Sequence, residues 1–150
     1  MVWSDVILQI ERLHSLRLLF WGASSTVVGT GLLVLSLTRG GSTMIRRFAV
    51  VCAVFGTCEL IFAAIGYRHL ALRDLAGATR LERLAWMQLG LYLGLVAVGA
   101  VTCVVARSVA SRAGASTDVA LPSIGTGIAV ALHGLALATL ELILLAGISH

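Results

Sequence analysis

Glu59 stands in the middle of an apolar run from Phe48 to Tyr67, where the only other ionisable groups are thiols and the terminal phenol. A charge near the centre of a membrane helix costs at least about 2.5 kcal/mol on the mildest insertion scale, so this carboxylate must face protein or water. Its neighbours on one helical stripe, Cys52, Gly56, Ala63 and Gly66, are small and spaced like the seam of a left-handed bundle. Glu141 repeats the arrangement behind Gly127, Ala131, Gly134 and Ala138. At 1.5 Å per residue, counted inward from the N-terminal face, Ser25 falls about 10 Å deep, Glu59 about 12 Å, Gln88 about 6 Å and Glu141 about 10 Å. Together with the deeper His133, these five residues form a predicted buried polar layer.

Two chemistries follow from such a layer. Carboxylates sharing a dry site cannot both ionise cheaply. Glu59 and Glu141 are therefore expected to meet inside the bundle at one height, with one protonated or neutralised by Arg17 or Arg83. As a hydrogen-bond cluster the layer would fix helix packing. As a set of intramembrane acids it would carry protons or cations. Metal chemistry is disfavoured. Glu11-x-x-His14 has the spacing of half a di-iron motif, but no second copy occurs. His14, His69 and His150 read as interfacial, and His133 as a hydrogen-bonded core residue rather than a haem ligand. With no Ser-His-Asp set, phosphate loop or nucleophile elbow, the chain reads as non-enzymatic and without a cofactor.

The elements that must position these residues are membrane helices. A chain of 150 residues with 59% apolar and 12% charged side chains is not a soluble globular domain. Residues 18–37, 48–67, 84–106 and 124–148 are each long enough to cross a bilayer. Short connections make residues 1–150 one all-α domain, a membrane four-helix bundle. Residues 3–17 are amphipathic, with Val6, Ile10, Leu13 and Leu16 opposite Asp5, Gln9 and Arg12. They form either an interfacial helix or an extension of the first span, and lack the pattern of a secretory signal. Gly22, Ser25, Gly29 and Ser36 give the first span a small seam. The third carries Gly90, Gly94 and Ala97 on one stripe and Gln88, Tyr92 and Gly99 on another. Gly40-Gly41 ends the first span, and Ser42 or Thr43 caps the second. The second span is expected to run on through Arg73 to a stop at Gly77, with Thr79 and Glu82 boxing the start of the third. Pro122 suits the first turn of the fourth. Cys52 and Cys103 lie at similar depth, which leaves a disulfide open. The aromatic residues Trp3, Trp21, Tyr67, Trp86 and Tyr92 fit interfacial belts or inter-helix packing.

All eleven basic residues are arginine, and the net charge is +4. Because they flank apolar spans, lipid phosphates are the expected contacts of Arg46, Arg47, Arg68, Arg73 and Arg80, and nucleic acid is not. The N-terminal face carries six arginines and the other five, a small excess that favours cytoplasmic termini. Arginine without lysine in an Ala/Gly/Val-rich chain points to a GC-rich bacterial gene and so to the inner membrane. The leading expectation is a self-associating protein or accessory subunit of a larger membrane assembly. A small proton- or cation-coupled transporter using Glu59 and Glu141 is the alternative.

Three stretches carry a family resemblance: Phe55-Gly56-Thr57-Cys58-Glu59-Leu60, Leu84-Ala85-Trp86-Met87-Gln88-Leu89-Gly90-Leu91, and His133-Gly134 followed by Glu141, with Trp21-Gly22 in support. They resemble a bacterial family of small four-helix integral membrane proteins to which no activity is assigned. The family pattern has Asn at the positions of Glu59 and Gln88, Gln at His133 and Asp at Glu141. It also has an acid near Tyr92, which this chain lacks. The resemblance implies that the polar layer is a family feature, and the missing acid near Tyr92 is a departure that counts against a site of three carboxylates here.

Overall fold

The computed structural model describes residues 3–112 and 119–148, which form four helices and no strand. They are α1 (Trp3–Thr38), α2 (Thr43–Arg68), α3 (Leu75–Arg112) and α4 (Leu121–Ile148). All four are long and apolar enough to cross a membrane. At 1.5 Å per residue α1 and α3 are about 54 and 57 Å long, well beyond a hydrocarbon core of about 30 Å. Both therefore project from it.

Local chemistry sets the breaks. Gly40 takes a left-handed φ of 68° after α1, a conformation that costs other residues a Cβ clash. The Ser42 hydroxyl accepts the Ile45 amide at 3.3 Å and caps α2. The next turn differs from expectation. α2 stops at Arg68, and α3 starts at Leu75 because the Asp74 carboxylate accepts the Gly77 amide at 2.8 Å. The Thr79 hydroxyl is then inside the helix and donates to the Leu75 carbonyl. An aspartate cap upstream outcompetes the box at Thr79 and Glu82. α3 also runs on through Arg107 to Arg112; Asp118 and His150 lie outside the described residues.

α4 is the hub. It packs against α3, α2 and α1, whereas α3 packs extensively on α4 alone. The most apolar window of α4 is 44% buried and that of α3 only 11%. Small residues make the close crossings: Gly22 and Gly29 lie on the α2 backbone, Gly99 and Gly127 face each other across α3 and α4, and Gly134 meets Tyr92. A Cβ on Gly22 would come within 2.9 Å of the Gly56 carbonyl oxygen. The expected seam of α1 is buried throughout, at Gly22, Ser25, Gly29 and Ser36. That of α2 is buried from Cys52 to Ala63, while Gly66 is exposed.

Residues 3–17 belong to continuous α1, the extension of the first span. Ile7, Glu11, His14 and Ser15 are buried, while Val6, Leu13 and Leu16 are exposed. The apolar side looks outward because polar groups on α4 and the α2–α3 turn claim the inner one. The three cysteines are free.

Candidate functional site

Glu59 and Glu141 do not pair with each other. Each takes a histidine. In the bundle core, Glu59 of α2 and His133 of α4 lie 2.8 Å apart (Oε1 to Nδ1) at 9% and 1% exposure. Phe55 and Trp21 flank the imidazole, with ring centroids 5.2 and 5.8 Å away and Trp21 edge-on at 68°. These rings keep lipid from the pair. Its depth follows from helix register. Gly99 faces residues 127–131 and Gly134 faces 92–96, so the uncharged run 84–106 of α3 lies beside about 122–144 of α4. His133 is at the middle of that stretch.

Glu141 is eight residues further along α4, about 12 Å towards the N-terminal rim. It is 1% exposed, and its Oε1 lies 3.7 Å from His14 Nε2 of α1, an ion-pair distance rather than a hydrogen bond. Between the two pairs stands Tyr92 of α3, within electrostatic reach of both Glu141 and Glu59. Cys52 lies within reach of Glu59. Outside His14 a rim pocket of about 170 Å³ is lined by Glu11, His14, Ser15, His69 and Arg73. Arg73 closes its edge with a fork onto buried Glu11: Nε at 2.9 and 2.8 Å from the two carboxylate oxygens and Nη2 at 2.8 Å. Those bonds raise the already high pKa of Arg73, which stays charged.

Several expectations change here. Equal depth of the two carboxylates fails because α4 is displaced lengthwise against α2, which brings His133 rather than Glu141 to the level of the Glu59 carboxyl. Arg17 and Arg83 are exposed and pair with neither acid. Gln88 is exposed, since α2 does not cover that flank of α3. Ser25 is buried and lines a cavity of about 130 Å³ with Trp21, Cys52 and His133. Arg46, Arg47, Arg68 and Arg80 are exposed, but Arg73 is committed to Glu11. Glu11 and His14, adjacent on their helix, part to Arg73 and Glu141, and no group of three or more His, Cys, Asp or Glu could hold a metal among the described residues. His14 and Tyr92 were not in the predicted layer. The stripe Ile7, Glu11, His14 at spacings of four and three was the signal for His14, obscured by the cleaner apolar stripe opposite.

Buried polar atoms remain beyond these contacts. Glu59 Oε2, His133 Nε2 and Glu141 Oε2 have no hydrogen-bonding partner among the described residues. The arrangement is a staircase of ionisable groups from one rim to mid-depth. Past His133 the helix contacts turn to Gly29 on Ala49 and Ala53, Gly125 on Met44 and Gly127 on the Cys103 thiol, with no carboxylate or histidine among them.

Fold and site together define a multi-pass α-helical membrane protein with buried carboxylate–histidine pairs. No protein-family model, curated protein or solved structure matches the chain.

Proposed function

We propose that this is a proton-responsive membrane subunit, in which the Glu59–His133 pair exchanges a proton with the N-terminal face through Glu141, His14 and the rim pocket. The observation that carries the reading is the 2.8 Å contact between two titratable groups at mid-depth. Plain hydrogen-bond glue needs neither an acid nor a base, and each charged form costs several kcal/mol at that depth unless compensated. A pair that holds one proton between them can gain or lose net charge, and thereby tighten or loosen α4 against α1 and α2. Access from a single face supports sensing or coupling rather than an open channel. The six arginines of that face against five support cytoplasmic termini in a bacterial inner membrane.

The test is pH-difference infrared spectroscopy on protein in liposomes. A carboxyl band should respond to pH and vanish in Glu59→Gln, while Glu141→Gln should slow its response to a pH jump. A spectrum identical in wild type and Glu59→Gln at every pH would remove the reading.

A second reading, self-association, rests on α3. Its stripe of Gly90, Gly94 and Ala97 is exposed, and a Cβ on either glycine would meet no atom within 4 Å. The seams of α1, α2 and α4 are used within the chain, whereas this one points away from α4, open to a second helix.

A further inference from the structure

A groove of about 590 Å³ runs between α1 and α4, within the range of roughly 300–1,000 Å³ typical of small-molecule sites. Phe20, Trp21, Leu132 and Leu135 form its walls. Two polar side chains reach it, Arg17 and Thr139, and the Thr139 hydroxyl already donates to the Leu135 carbonyl at 2.8 Å. Arg17 is exposed and makes no ion pair among the described residues. His14 lies within its electrostatic reach and is itself a base. The groove thus has one cationic end and an otherwise apolar length.

We propose that this groove holds one acyl chain of an anionic phospholipid, with the lipid phosphate on Arg17. A zwitterionic lipid would bring a second cation beside Arg17 together with its phosphate, and a free phosphate would leave the apolar walls bare. Orientation agrees. Arg17 is one helical turn, about 6 Å, nearer the N-terminal rim than Trp21. The walls continue along α4 from Leu140 inward to Leu132, about 12 Å. A lipid of that leaflet, head at the rim and tail towards mid-depth, enters without turning over. Trp21 forms the groove's inner wall and touches His133 on its other side, so the bound chain would lie one side chain from the Glu59–His133 pair.

Native mass spectrometry of the full-length protein in mild detergent tests this, with phosphatidylglycerol and phosphatidylcholine of identical chains as probes. Wild type should retain phosphatidylglycerol about fivefold better, the effect of one arginine near an anionic headgroup. Arg17→Gln should bring the two lipids level. Leu135→Trp should lower retention of both by filling the groove, and since Leu135 is 58% exposed the fold has room for it. Equal retention of the two lipids by wild type overturns the proposal. So does a preference that survives Arg17→Gln, which would assign the lipid to Arg46 and Arg47 instead.

Discussion

Replacing His133 by leucine keeps most of the side-chain volume and removes the partner of Glu59. Two accounts of the pair give different magnitudes. Ordinary interhelical hydrogen bonds in membranes contribute about 0.6 kcal/mol on average and about 1.7 at most. Stranding one member of a buried charged pair costs about 3–5 kcal/mol. Glu59 is 9% exposed, and its second oxygen has no other protein partner to fall back on. The larger figure is therefore expected for His133→Leu near neutral pH, measured by reversible unfolding in detergent. The double variant Glu59→Leu/His133→Leu removes both polar groups and should return to within about 1 kcal/mol of wild type, because a buried polar pair replaced by well-packed apolar groups loses little. A single-variant cost below about 1.7 kcal/mol, or a double variant no more stable than the single one, refutes the reasoning.

Gly29→Ala should cost about 1–3 kcal/mol by overpacking, since its Cβ would strike the Ala49 and Ala53 backbone. Gly31→Ala, with nothing within 4 Å, should be neutral or slightly stabilising in the same unfolding assay. Arg73→Ala strands Glu11, whose side chain is 8% exposed, and should cost about 1–3 kcal/mol. The exposed Arg46→Ala should change stability by less than about 0.5 kcal/mol; equal losses would show that the fork onto Glu11 has no special weight. Gly90→Leu/Gly94→Leu fills the open stripe of α3 without touching the rest of the chain. It should convert oligomers to monomers on blue-native electrophoresis, and an unchanged pattern would rule out self-association through that face.

Much of the architecture is written in the chain itself. Four apolar runs, glycine breaks and small-residue spacing determine a membrane bundle, because length and hydropathy are local properties and a seam is a local periodicity. The same logic marks Glu59, His133 and Glu141 as inward-facing, since lipid excludes them. Local reading misplaced the second break, where the Asp74 cap prevailed over a plausible box at Thr79.

Partnership was decided only in three dimensions. Whether Glu59 meets Glu141 or His133 depends on how far α4 slides along α2, and that is set by which glycines cross which backbones. A shift of two turns exchanges one partner for the other with the sequence unchanged. Likewise, Gln88 and the stripe of Gly90 and Gly94 look like bundle interior by periodicity. They are exposed because α3 packs on α4 and α2 leaves that flank of α3 uncovered. Side-chain spacing tells a residue which way to face along its own helix, but only the packed arrangement supplies what stands opposite.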